Sequence, residues 1–186
     1  MIPVSVVTFT RIQYRPPQPG AGGEVTMISR SASFMVTSFG NEAPMEIRIL
    51  RPDDLDLVLN VRPGLFDNPV DLAQARAFLG SDLHRMVVAI KGGDILGFAS
   101  GTVLLHPDKA PSMFINEVGT REEFQRQGIA TAVTAALIDA ARAMGCDGVW
   151  LGTEPDNDPA LGLYRKLKGT EQTIAGFAWD GAFDPD

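Results

Sequence analysis

Apolar and charged side chains alternate from Glu46 to Leu50, as a strand with one buried face requires, and Arg51-Pro52 ends the alternation. Asp53 opens a helix with Leu55, Val58 and Leu59 on one side, and Arg62 to Asn68 is a loop. After Pro69 the spacing of Val70, Ala73, Ala77 and Phe78 predicts a second short helix that stops at Gly80. Two β-rich runs, Met86 to Lys91 and Ile95 to Leu105, flank Gly92-Gly93-Asp94 and predict an antiparallel hairpin. His106 to Ser112 carries two prolines and reads as a loop, followed by a strand from Met113 to Thr120. A long helix then shows the stripe Val133, Leu137, Ala140, Ala141 and Met144 up to Gly145, and Gly148 to Thr153 is a further strand.

With 186 residues the chain is about one domain long. Its 45% hydrophobic and 21% charged residues are those of an ordinary globular protein, and no apolar run approaches the roughly 18 residues of a membrane span. One cysteine, Cys146, excludes an internal disulfide, fits a reducing, cytoplasmic setting, and with only His84 and His106 gives no metal site. Sixteen basic against 23 acidic residues give a net charge of −7, which repels nucleic acid and attracts cations. Any anionic ligand must therefore be held locally, by backbone dipoles and a few arginines.

Residues 1–44 differ from the rest. They hold Arg11, Arg15 and Arg30 against Glu24 and Glu42, so the acidity belongs to residues 45–186. The run RPPQPGAGG at 15–23 combines ring-locked prolines with permissive glycines and predicts a flexible linker. Met1 to Phe9 lacks the basic region of a secretory signal, and Ser29 to Ser38 is Ser-rich without helical periodicity. The expected organisation is a flexible or irregular extension over 1–44 and one domain over 45–186. A true start at Met27 or Met45, behind an over-extended reading frame, fits the same composition.

The chemistry concentrates where the Met113–Thr120 strand feeds the long helix through Gln125, Arg126, Gln127, Gly128, Ile129, Ala130 and Thr131. A helix start leaves about four N–H groups unpaired and carries about half a positive charge. Glycine at 128 and alanine at 130 let an anion approach, and Thr131 adds a hydroxyl, so this is a phosphate cradle. No Lys-Ser/Thr pair follows, which excludes a P-loop, and only one of the three glycines of the dinucleotide fingerprint is available.

The run Gln125 to Ala130 resembles the Gln/Arg-x-x-Gly-x-Gly/Ala signature of the GNAT acetyltransferase superfamily, whose members bind the pyrophosphate of acetyl-CoA there. Downstream, Asn157, Ala160, Leu163 and Tyr164 are similar to the Asn-x-x-Ala-x-x-Leu-Tyr pattern of that superfamily's last helix. Within it the chain most resembles the type I aminoglycoside 3-N-acetyltransferases. The likeness lies in Ile115 to Val118, Arg126 to Ala132, Asp158-Pro159-Ala160, Leu163-Tyr164, Lys166-Leu167 and Leu65-Phe66. Asn116 stands where an aromatic is common in those enzymes, and the acidic run is rearranged as Glu154-Pro155-Asp156-Asn157. The resemblance implies an α/β (α+β) GNAT fold, a mixed and mostly antiparallel sheet of roughly seven strands with roughly four helices. It also implies acetyl-CoA as cosubstrate and a homodimer.

Amide formation from a thioester needs an unprotonated amine, a donor to the developing oxyanion and a proton for the departing thiolate. Glu117, in an apolar strand just before the cradle, is the expected base, since partial burial raises a carboxylate pKa toward a useful value. The backbone near Val118 is the expected oxyanion donor, worth about 3 kcal/mol. By resemblance the Tyr164 hydroxyl approaches the CoA sulfur as general acid, and Val118, Thr120 and Asn157 pair with the pantetheine arm. Singly, a strand glutamate is more often a solvated group and a Leu-Tyr tyrosine more often core; their places in two ordered motifs reverse both readings. Cys146 reads as packing, His84 and His106 as structural or exposed, and Glu122-Glu123 as a solvated pair.

An aminoglycoside carries several ammonium groups, which a carboxylate-lined site would attract. Asp67, Glu154, Asp156, Asp180 and Asp184 are the candidates for that lining. A polyamine, another small amine or a protein N-terminus suits the same acidic cleft. A non-catalytic CoA-binding module is the rival of another class, and the presence of both Glu117 and Tyr164 argues against it.

Overall fold

The computed structural model describes residues 44–176 together with the strands β1 (Thr8–Ile12) and β2 (Phe34–Val36). The linker expected at 15–23, most of the extension over 1–44, and Asp180 and Asp184 lie outside the described residues. The remaining strands are β3 (Met45–Ile49), β4 (His84–Lys91), β5 (Asp94–Leu104), β6 (Ser112–Thr120) and β7 (Gly148–Thr153). The helices are α1 (Leu55–Leu59), α2 (Leu72–Leu79), α3 (Ile129–Ala143) and α4 (Asp158–Lys166). The sheet runs β1-β7-β6-β5-β4-β3-β2, antiparallel throughout except for the parallel pair β6 and β7. The mixed sheet with four flanking helices is the fold the resemblance implies; five of its strands fall within 45–153 and the other two come from the segment before residue 44. No helix among the described residues is long and apolar enough to cross a membrane.

Two apolar layers form, one on each face. Val133 and Leu137 of α3 pack on Val87, Ala99, Met113 and Ile115 in one layer, and Val58 of α1 packs with Leu50, Leu65, Val88 and Phe98 in the other. The hairpin turn at Gly92-Gly93 has φ of 59° and 87°, the left-handed pair that a tight turn with the twist of its strands requires. Helix α3 buries Val133, Leu137, Ala140 and Ala141 as its stripe predicts, along with Thr134 and Ile138. Its first turn sits so close to β5 that a methyl group at Gly97 would meet Ile129 Cγ2 at 2.6 Å and the Gly119 carbonyl at 2.9 Å. Glycine there is a condition of the approach.

Helix α2 is rotated from the expected stripe. Ala75 is its buried residue and Phe78 and Leu79 are half-buried, whereas Ala73 and Ala77 face solvent. An alanine methyl transfers little free energy to the core, so the larger Phe78 and Leu79 set the rotation. Asp71 caps this helix, its Oδ1 accepting from the Gln74 amide at 2.8 Å. The entry to α1 is also fixed: Arg48 and Asp54 pair through two 2.8 Å hydrogen bonds, which hold the Asp54 carboxyl below the usual carboxylate range.

Candidate active site

A register shift interrupts the β5–β6 ladder. Glu117 faces Ser100 and Ile115 faces Gly101, so Asn116 is an extra residue without a partner across the ladder. The bulge breaks the alternation of sides. Ile115 points into the α3 layer, while Asn116 and Glu117 both emerge on the α1/α2 face: the Asn116 amide bonds Thr102 Oγ1, and Glu117 lines a cavity with Met86. Glu117 therefore lies inside its strand, as the predicted run from Met113 to Thr120 has it.

That cavity, about 380 Å³, has Val58, Ala75, Phe78 and Met86 as apolar wall and Asp67, Asp71 and Glu117 as carboxylates. Partial desolvation raises the Glu117 pKa, and the negative charge of Asp67 raises it further. Of the acidic residues expected to line an acceptor site, Asp67 does. Glu154 and Asp156 sit in the loop between β7 and α4, outside this lining. Asp71 was hidden in the sequence, where an N-cap aspartate carries no sign of a second role.

On the other side of Glu117 the sheet opens. Strands β6 and β7 pair only over Ser112–Phe114 and Gly148–Trp150, then diverge. The Arg121 amide donates to the Leu96 carbonyl. By alternation along the antiparallel ladder, the N–H and C=O groups of Val118 and Thr120 point away from β5, into this wedge. Thr120 Oγ1 is buried without a hydrogen-bond partner, on the α3 face close to Gly97. An extended ligand carrying amide groups would pair with these groups as an added strand does.

The wedge leads to the start of α3. Its N-cap is Gly128, in the left-handed region at φ 84°, and no side chain caps the helix. Arg126 is left-handed too, at φ 62°. The amides of Ile129, Ala130 and Thr131 thus head an uncapped 15-residue helix, with open space around the Gly128 α-carbon. Gln125 and Gln127 turn back on the loop, their Nε2 atoms 3.5 Å from the Thr120 carbonyl and 3.4 Å from that of Glu123. This donor set fits a diphosphate, and the orphaned Thr120 hydroxyl fits an arm reaching from it.

The profile of the acetyltransferase (GNAT) family matches residues 56–169, which span the cavity, the wedge and the helix cradle. The chain belongs to the GNAT acetyltransferase family. Acetyltransferase ECA0875 of Pectobacterium atrosepticum is 31% identical over 131 residues, 67% of this chain and 86% of that protein. Among solved structures, an aminoglycoside acetyltransferase from an uncultured soil metagenomic sample, crystallised with sisomicin, superposes with a TM-score of 0.64. It is 21% identical, over 73% of this chain and 95% of that one. The aminoglycoside N-acetyltransferase AAC(6')-Iy in complex with CoA gives 0.61 at 22% identity, over 82% and 97%. The fold is common to all; the neighbours include 6'-N enzymes, so the 3-N position is not fixed by the likeness.

In this acetyltransferase Tyr164 belongs to the α3-side layer at 8% exposure, and burial raises its phenol pKa. Glu117 and Tyr164 thus lie on opposite faces of the sheet. Asn157 caps α4, Oδ1 accepting from the Ala160 amide at 3.3 Å and Nδ2 donating to Thr153 Oγ1 at 3.2 Å. One amide hydrogen remains for a ligand. Cys146 packs against the core, and burial raises its thiol pKa, the opposite of an activated nucleophile.

Arg121 went unnoticed in the sequence, where nothing local marks it. It is 5% exposed, and its guanidinium donates to the carbonyls of Ile95, Pro63 and Arg62. Glu123 is solvent-exposed, as the sequence suggested, and lies 3.9 Å from both Arg121 and Arg62, a weaker tie. The strap pins the loop leading to Asp67 onto the strand that precedes the cradle. Arg121→Met is expected to cost about 3 kcal/mol, since three carbonyls, that of Ile95 among them buried, lose a charged donor. A urea midpoint within error of wild type would refute the strap.

Proposed function

We propose that the protein acetylates an amine of an aminoglycoside with acetyl-CoA, at the 3-N position that the sequence resemblance implies. The observation that carries this reading is the pairing of Glu117 with Asp67 in one apolar-walled cavity. A polycationic acceptor is attracted by the carboxylates, and its carbon skeleton lies on Phe78 and Met86. The likeness to aminoglycoside acetyltransferases of known structure supports the same class.

In this reading the backbone amides of Ile129 to Thr131 hold the diphosphate, and the Val118 N–H donates to the thioester oxygen as it becomes an oxyanion. The amine nitrogen attacks the carbonyl carbon and Glu117 takes the proton it loses. The C–S bond then breaks, and the thiolate takes a proton from Tyr164, whose raised pKa keeps the phenol protonated at neutral pH. A homodimer completes the proposal and is measurable by sedimentation.

The test is incubation with acetyl-CoA and sisomicin, gentamicin, spermidine or a peptide with a free N-terminus, following thiol release and product mass. A gain of one acetyl group on sisomicin or gentamicin is expected. Acetylation confined to spermidine or the peptide moves the acceptor class, and thiol release with none of them overturns the reading.

A further inference from the structure

We propose that Asn116, the extra residue of the β6 bulge, is a specificity-determining residue whose side-chain oxygen accepts a hydrogen bond from an ammonium or hydroxyl group neighbouring the reacting amine. This rests on the proposed acetyl transfer and deepens it: the acceptor it selects carries a second polar group beside the amine that attacks.

The bulge sets the placement. Normal alternation would send Asn116 to the face opposite Glu117; the extra residue brings both side chains out together on the cavity side. Asn116 is exposed there but not free to rotate. Its Nδ2 lies 2.9 Å and its Oδ1 3.1 Å from Thr102 Oγ1, which is also 3.0 Å from His84 Nδ1. The His84 ring in turn stacks on Phe78, a wall residue of the cavity, at a centroid distance of 4.9 Å. A row of polar groups across three strands is thereby continuous with the acceptor cavity.

Proton bookkeeping along the row leaves an acceptor open. The Thr102 hydroxyl has one hydrogen, and His84 Nδ1 and Asn116 Oδ1 both lie within reach of it. When the imidazole carries its proton on Nε2, Thr102 donates to Nδ1 and accepts from Asn116 Nδ2, so both lone pairs of Oδ1 are open. When the proton is on Nδ1, His84 donates to Thr102, which donates to Oδ1, and one lone pair stays open. In either state an oriented carbonyl oxygen stands beside Glu117, and orienting it costs a ligand no further rotamer entropy.

Two readings are made with sisomicin: acetylation kinetics, and calorimetric titration into protein saturated with CoA, whose free thiol transfers nothing. Asn116→Ala is expected to raise KM and the calorimetric Kd at least tenfold while kcat changes less than threefold. Thr102→Val, which removes the orienting hydroxyl, should move both constants the same way by a smaller factor. Asn116→Asp keeps an acceptor oxygen at the site and should hold Kd within threefold of wild type. Unchanged Kd in Asn116→Ala, a fall in kcat at constant KM, or equal losses in the Ala and Asp variants overturn the assignment. Wild-type protein that binds sisomicin without acetylating it refutes the proposed activity while the Asn116 contact stays measurable by calorimetry; wild type that neither binds nor acetylates it overturns both.

Discussion

Glu117→Gln is expected to lower kcat by at least about a hundredfold, the usual loss when a positioned general base becomes an amide that cannot take a proton. As the proposed base the carboxylate must be ionised, so activity is expected to fall as pH drops through its pKa. Desolvation and Asp67 both raise that pKa, which places the acid limb of the kcat/KM profile above the usual glutamate range. Asp67→Asn removes the smaller of the two causes and should move the limb to lower pH without bringing it down to the usual glutamate range, since desolvation, the larger cause, remains. Tyr164→Phe provides the contrast. A thiolate is a far better leaving group than an alkoxide or amide ion and solvent can protonate it, so a loss below about tenfold is expected. Steady-state rates of the three variants between pH 5 and 9 decide the matter; wild-type kcat in Glu117→Gln would remove the base from the mechanism.

Gly128→Val should weaken CoA binding by at least about a hundredfold while the protein stays folded. At φ 84° a β-branched residue is strained, and left-handed backbone costs an L-residue about 1–2 kcal/mol. Relief of that strain turns the amides that follow away from their common focus, and the branched side chain occupies the space through which a phosphate would approach them. The core is untouched, because a Cβ at this position meets no atom within 4 Å. A melting temperature lowered by only a few degrees is therefore expected, about 2–4 °C per kcal/mol for a chain of this size. Calorimetric titration with CoA and thermal denaturation by circular dichroism separate the two effects. Wild-type affinity in this variant would place the diphosphate elsewhere.

The elements most legible in the sequence were those whose pattern has no competing reading. The α3 stripe uses Val133 and Leu137, large residues whose burial dominates the helix's rotation, and Gly92-Gly93 permits few turns. On α2 the pattern leaned on Ala73 and Ala77, and alanine is at home on either face. The bulge at Asn116 is a matter of register between strands, which a single strand's sequence does not encode. Much of the candidate site was visible for a similar reason: the cradle is local in sequence, and Glu117 precedes it by a few residues. Arg121 was not visible, because its partners Arg62 and Pro63 lie 59 and 58 residues away and are backbone carbonyls, which every residue has. Asp71 joined the cavity only when α2 was placed on the sheet.

The separation of β6 from β7 also bears on solubility. Unpaired strand backbone usually lies at the rim of a sheet, where another chain can add to it and begin aggregation. Here the unpaired stretch after Phe114 is in the middle of the sheet, flanked by β5 on one side and shut at its base by the three paired residues of β6 and β7. A slot closed at one end admits the slender arm of a small molecule but gives a second polypeptide no length along which to register. Unpaired backbone is thus held within the sheet without being offered to neighbouring chains.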